Sequence, residues 1–322
     1  MNSRSIWFEL FLLHVTSSTC PNNTIPWTDD FCKPIDDAVN DATNFLLENM
    51  PNFDKPNTAT LFDGGIVIPT VNISLMARQK YPWTGNIPIE IYFDYVLPYA
   101  SVNEARTNWR QLLWNKLSPQ IDELLYNYNY KTNQNGILEV IARFVNSKIW
   151  SLLAPSNVES ITFKSQQTPM IYDPMSTMIF GYASCTGISL LYVDALRTFG
   201  VPARLVGTPA WNGNVELGNH NWVEVWLGKD VSEGWKFIEG LPAGGASETF
   251  EDPCDKWFCT ESHFDKNSTT KVFAARFSKS EIHYPMAWDL ENWYIPGVDR
   301  TEYYQQNCKS CSINNLSIDV IS

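Results

Sequence analysis

The chain of 322 residues is 44% hydrophobic and 14% aromatic, with 13 tryptophans, which is enough apolar material for a substantial core and too much for a disordered chain. A formal charge of -12 without any dense lysine or arginine run argues against nucleic acid and anionic membrane as partners. Beyond the N-terminus no stretch approaches the roughly 20 apolar residues of a membrane span.

The chain begins "MNSRSIWFELFLLHV", where Arg4 precedes an apolar run interrupted by Glu9 and His14, and "TSST" offers small residues before Cys20. This predicts an export signal over residues 1–19; an amphipathic N-terminal helix is the alternative. Asn-X-Ser/Thr sequons at Asn22, Asn72, Asn267 and Asn315 fit a glycoprotein of the secretory pathway. Of seven cysteines, six lie near the two ends and Cys185 stands alone in the middle. In an oxidising compartment the six read as disulfides, Cys20 with Cys32 and Cys254, Cys259, Cys308 and Cys311 among themselves, although spacing does not fix the connectivity. A zinc site built from the last four is the rival reading.

Residues 36 to 150 are helical in pattern. "DDAVNDATNFLLENM", "NEARTNWRQLLWNKLSPQIDELLYNY" and "GILEVIARFVNSKIW" carry apolar residues three and four apart, and in the third Ile137, Val140, Ile141, Phe144, Val145 and Ile149 form one stripe.

From about residue 181 the texture changes. In "GYASCTGISLLYVDALRTFGVPARLVG" the residues Ile188, Leu191, Tyr192, Ala195, Leu196 and Phe199 predict a helix with one buried face. Gly200 closes it, Pro202 prevents its continuation, and Ser184 is placed to cap its start. Cys185 therefore falls in the first turn, where unpaired N–H groups and the helix dipole favour a thiolate. The plain alternative is a small buried apolar residue. Two strands follow, "ARLVGTPAW" and "GNHNWVEVWLG". In the second, His220, Trp222, Glu224 and Trp226 alternate with Asn221, Val223, Val225 and Leu227. A turn then leads to "WKFIEG".

A nucleophilic cysteine needs a base, and the base an orienting group. His220 supplies the first. For the second, Glu239 lies an odd number of positions on, the parity for directly opposed residues of a hairpin, and reads as strand. Asp230 in the turn, or no acid at all, are the alternatives. Glu224 shares the face of His220 but reads as a solvated or salt-bridged strand residue. From Asp252 onward the sequence is rich in Trp, Tyr, Cys and Pro without periodicity and predicts irregular, disulfide-pinned structure.

The run "GYASCTG", "LLYVDALRTFGVPARLVG", "NHNWVEVWL" and "GWKFIEG" resembles the transglutaminase-like core, with its G-x-C-x-G, helix ending A-L-R-x-x-G-[IV]-P-A-R, H-x-W-V-E-V and G-W-x-x-x-D. The resemblance implies a papain-like α+β fold: a helix bearing the cysteine packed on an antiparallel sheet. By position Cys185 matches the nucleophile and His220 the base, while Glu239 stands where the family has Asp. "FDYVLPYASVNEARTNWR", "GTPAWNGNVELGNHNWVEVW" and "DKWFC" further resemble large bacterial transglutaminase-like proteins, which implies one elaborated unit over about 90–310. On this reading a mainly helical region spans 20–135, the core 136–250, and a Cys/Trp/Tyr-rich extension 251–322.

The chemistry expected is cysteine-dependent acyl transfer on protein or peptide amides, through a thioester on Cys185, to water or an amine. The backbone N–H of Cys185 is a natural oxyanion donor. Trp150 lies near where animal transglutaminases place an oxyanion-stabilising Trp, but it ends an amphipathic helix, which favours packing. Trp222 shields the site or packs. No cofactor is expected: His14, His263 and His283 show no metal-ligand spacing, and neither a phosphate loop nor a twelve-residue calcium loop occurs. Two other readings stay open: a catalytically silent transglutaminase-like binding domain, which the Asp-to-Glu departure allows, and a structural disulfide-pinned protein.

Overall fold

The structure, a computed structural model, describes residues 20–28, 31–128, 136–228, 234–244, 264 and 268–307. The predicted export signal, Asp230, His14, His263, Asn267, Asn315, Cys254, Cys259, Cys308 and Cys311 lie outside the described residues.

The chain opens with a hairpin of β1 (Thr24–Thr28) and β2 (Phe31–Pro34). Cys20 is joined to Cys32 in a disulfide, the expected pair. Helices α1 (Ile35–Glu48), α2 (Thr58–Asp63), α3 (Val67–Lys80), α4 (Ile89–Tyr95), α5 (Trp109–Tyr128) and α6 (Ile137–Leu152) follow. The short parallel pair β3 (Thr162–Phe163) and β4 (Tyr182–Ala183) brackets α7 (Pro174–Phe180) and delivers the chain to α8 (Cys185–Thr198). Then come β5 (Ala203–Thr208), β6 (His220–Trp226), β7 (Trp235–Ile238), β8 (Phe273–Ala275), β9 (Gly297–Asp299) and α9 (Thr301–Asn307).

Strands β5 to β9 form an antiparallel sheet in the order β7-β6-β5-β8-β9. The expected fold is therefore present: an α+β architecture in which the cysteine-bearing helix packs on an antiparallel sheet, with helices preceding it. The expectation of wholly irregular structure in the C-terminal region is corrected for residues 268–307. Strands β8 and β9 are three residues each, too short for a period-2 pattern to register.

Helix α8 touches β5 and β6 on one side and α3, α5, α6 and α7 on the others. Consequently Thr186 through Thr198 are all buried, not a single face as the apolar spacing predicts. Among the polar residues of this stretch, Arg197 Nε donates to Ala203 O at 3.0 Å and Thr198 Oγ1 to Asp194 O at 2.7 Å. The helix ends as read from sequence. Gly200, at φ 73°, bonds back to Arg197 O and Val201 N to Leu196 O, a Schellman closure. Its start differs. Ser184 occupies the N-cap position, yet its hydroxyl makes no cap bond and pairs with Thr168 Oγ1 at 2.5 Å.

Strand β6 is buried along its whole length, so its alternation separates two packed faces and leaves none in solvent. Glu224 is accordingly not solvated. It lies fully buried, with Arg204 Nη2 at 2.6 Å and Arg300 Nε at 2.9 Å, and also accepts from the Tyr304 hydroxyl. The charges of those two arginines outweigh its burial and hold its carboxyl below the ordinary value. Arg300 and Tyr304 come from the C-terminal segment, which this network ties to the sheet.

Candidate active site

Helix α8 presents Cys185 at its first residue; the turn at its far end leads into β5, and antiparallel pairing places β6 against β5. The pairing Thr208↔His220 sets the histidine at the start of β6. His220 and Cys185 are hydrogen-bonded. The other side of the ring meets the carboxylate: His220 Nε2 lies 2.9 Å from Glu239 Oε2. With Nε2 committed to Glu239, Nδ1 is the ring atom left for the sulfur. The structure thus brings the three expected residues together in the order thiol, imidazole, carboxylate.

Glu239 reaches the ring differently from the expected pairing. Strand β7 ends at Ile238, and its register pairs Val223 with Ile238. Continued by one residue, that register puts Glu239 across from Trp222, not His220. The odd parity keeps it on the histidine's face, and it reaches the ring diagonally.

Both His220 and Glu239 are buried, and Cys185 is half-buried, so of the three it is the residue that reaches the surface. Burial pushes the Cys185 thiol up. The His220 charge, its hydrogen bond and a backbone N–H from Asn221 outweigh burial, and the thiol sits below its ordinary value. Burial pulls His220 down, but the Glu239 carboxylate, the Cys185 charge and the hydrogen bonds to both push it up to about 10. Both shifts favour the thiolate–imidazolium form of the pair.

Three further residues, none of them read as site residues from sequence, hold this geometry. Asn146, buried on the apolar stripe of α6, donates through Nδ2 to Glu239 O at 2.9 Å. Its Oδ1 accepts from Leu241 N at 3.0 Å and from Trp150 Nε1 at 3.1 Å. Asn221 follows His220 and bonds to helix α8, and Tyr284 donates its hydroxyl to the Asn221 side chain. No sequence period marks such residues; a polar residue inside an otherwise apolar stripe, as Asn146 is, is the one available signal.

Trp150 is buried, and its N–H is given to Asn146, so it packs beside the site and has no free donor for an oxyanion. The Trp222 ring stacks beside His220 at 5.9 Å between centroids, and its Nε1 donates to the Tyr304 hydroxyl at 2.7 Å. His283 lies against Trp293, and among the described residues no cluster of His, Cys, Asp and Glu could hold a metal ion.

Residues 141–239 match the family model of the transglutaminase-like superfamily, a span that contains Cys185 and His220 and ends on Glu239. A search of curated proteins gave no match. A crystal structure of a candidate cysteine protease from Cytophaga hutchinsonii is similar over 55% of this chain and 58% of its own, at 12% identity and a TM-score of 0.24, too loose a likeness to carry an argument. The matched segment, with its cysteine-bearing helix set against an antiparallel sheet, is a transglutaminase-like core within the chain.

Proposed function

We propose that this protein is a cysteine-dependent acyl-transfer enzyme acting on amide bonds of proteins or peptides, with Cys185 as nucleophile, His220 as acid and base, and Glu239 as the orienting carboxylate. The observation that carries the reading is the contiguous chain of contacts from sulfur to imidazole to carboxylate, of which Cys185 is the half-buried member. A catalytically silent fold has no need of a buried carboxylate aimed at a histidine that holds a thiolate.

In this reading the Cys185 thiolate attacks the amide carbonyl carbon, and a C–S bond forms while the carbonyl oxygen takes up the charge. The backbone N–H of Cys185, at the start of α8, faces that oxyanion and stabilises it. The imidazolium of His220 gives its proton to the departing nitrogen as the C–N bond breaks, which leaves a thioester and a neutral ring. Water or an amine then attacks the thioester and surrenders a proton to His220, and the thiolate leaves. Glu239 keeps the ring in one orientation and stabilises its charged form throughout. Glu is one methylene longer than the family's Asp, and the diagonal position across from Trp222 accommodates that length. Hydrolysis is the default outcome, because no amine-donor site is evident.

The setting we propose is extracellular or the secretory lumen. The Cys20–Cys32 disulfide supports it, as do two exposed sequons at Asn22 and Asn72. No single helix among the described residues is long and apolar enough to cross a membrane.

The test is incubation with a library of peptide amides, with and without a fluorescent primary amine, followed by mass spectrometry of the intact protein. Expected are product acids or amine adducts and a thioester-linked mass on Cys185, all lost in Cys185→Ala. If Cys185 of the folded wild type is alkylated no faster near pH 6 than an unperturbed thiol, the reading fails.

A further inference from the structure

The residue after His220 is held by several bonds. Asn221 Nδ2 donates to Thr186 Oγ1 at 2.9 Å, its Oδ1 accepts from the Tyr284 hydroxyl, its carbonyl accepts from Ser189 Oγ at 3.2 Å, and its N–H donates to the Cys185 sulfur. Three of these four partners belong to the first turns of α8, so Asn221 joins strand to helix at the place where sulfur and imidazole must meet. Asn221, Thr186 and Tyr284 are all buried. The neighbouring strand makes room for the amide: a Cβ on Gly207, directly across from Asn221, would collide with the amide oxygen. The Tyr284 hydroxyl lies near enough to the sulfur that the Cys185 charge adds to burial in raising it above its ordinary range.

We propose that Tyr284 and Thr186 are positioning residues that act through Asn221 to aim its backbone N–H at the Cys185 sulfur. A threonine hydroxyl can either give or accept, so Thr186 alone leaves the Asn221 amide two orientations. Tyr284 biases the choice: in the structure its hydroxyl donates to the amide oxygen, which turns the NH2 group toward Thr186 and holds the side chain from both ends. A side chain pinned twice in a dry site fixes its own backbone, and that backbone supplies the thiolate with a charge-assisted hydrogen bond separate from the one His220 gives. Without the tyrosine hydroxyl the amide oxygen is buried and unpaired, and it must turn or shift to find a donor. Tyr284 lies beyond the matched segment 141–239, so the C-terminal segment supplies part of the nucleophile's support.

The inference rests on Cys185 being the reactive thiol, and the experiment separates the two. The rate of Cys185 alkylation by iodoacetamide is measured from pH 4 to 9 (roughly the range over which a perturbed thiol titrates) in the wild type, Tyr284→Phe, Thr186→Val and the double variant. Melting temperatures are recorded alongside. If the wild-type thiol is unreactive, the proposed function fails. With a reactive wild type, each single variant is expected to lose about three- to tenfold in rate on the acid limb, the scale of a weakened hydrogen bond to a charged group. The plateau should be unchanged, and the double variant should lose less than the product of the singles because both act on one amide. An acid limb that stays in place in Tyr284→Phe while the melting temperature falls would make the hydroxyl merely structural and overturn the inference, as would fully multiplicative losses. Should Tyr284→Phe fail to fold, Thr186→Val decides alone: a displaced limb supports the inference and an unmoved one overturns it.

Discussion

Asn146 on α6 holds the main chain of Glu239: its Nδ2 donates to the Glu239 carbonyl at 2.9 Å, while its Oδ1 takes the N–H of Leu241 at 3.0 Å. The carboxylate that orients His220 is thus anchored just past the end of β7.

Replacing Asn146 with leucine conserves volume but removes those bonds and leaves the Trp150 donor buried without its acceptor. The expected loss is about 1–3 kcal/mol of stability from that unpaired group. A denaturant titration measures it. Turnover should fall more than the stability loss alone explains, and it should be partly restored in Asn146→Gln, which keeps both functions of the amide.

The pH profile follows from the two shifted groups. Rate is expected to drop on acidification as the Cys185 thiolate takes a proton below the ordinary thiol value, and to drop again near pH 10 as His220 loses its own. Glu239→Gln withdraws the carboxylate that raises His220, so the alkaline limb should move down. Stability has its own signature. Between the folded Cys185 value and its ordinary 9.0, folding takes a proton from the sulfur, while above 6.5 it adds one to the ring, so the two linkages oppose each other. Above that window only the His220 proton remains. Because its folded value is the higher one, its stabilisation is lost as pH rises through about 10. The melting temperature of the wild type, less that of Cys185→Ala/His220→Ala, should therefore fall on going alkaline; a rise there would contradict the charged pair.

Trp150→Phe keeps the ring and deletes the N–H that Asn146 receives. Because that N–H is engaged away from the sulfur, kcat should change by less than about threefold. Loss of a working oxyanion donor costs about 10²–10³ in kcat. A fall of that size would return Trp150 to the chemistry.

Glu224→Gln leaves Arg204 and Arg300 without their common counter-charge inside the protein. The expected cost is about 3–5 kcal/mol, and Arg204→Met in the same chain should recover part of it. The wild type should weaken in acid through this group. The folded carboxyl sits below the ordinary 4.5, so its stabilisation is complete above that value and disappears as pH falls through the folded one. Thermal melts between pH 7 and 3 (about the span of a shifted carboxylate) compared with those of Glu224→Gln measure it.

The elements around the nucleophile were legible because each is long enough to show its period. Helix α8, its closure at Gly200 and strands β5 to β7 all fall where apolar spacing places them, and Cys185 at a helix start follows from counting back along one face. The parity of His220 and Glu239 put the carboxylate on the correct face, but register is fixed by the turn between β6 and β7, and the diagonal approach could not be read from spacing. That α8 would be buried on every side was hidden for a related reason: its second layer comes from α3, α5 and α6, far away in sequence. Asn146, Asn221 and Tyr284 were illegible as a group, since each acts through hydrogen bonds to partners distant in sequence and leaves no period along the chain.

The sheet order β7-β6-β5-β8-β9 bears on how the catalytic unit can be dissected. A fragment that stops after Gly244 would retain thiol, imidazole and carboxylate, yet β5 would lose β8 and present a bare, apolar edge to solvent. Such a piece invites self-association before it can turn over any substrate. Modularity in this protein therefore does not follow the limits of the sequence match: the smallest competent unit extends to the strands that come last.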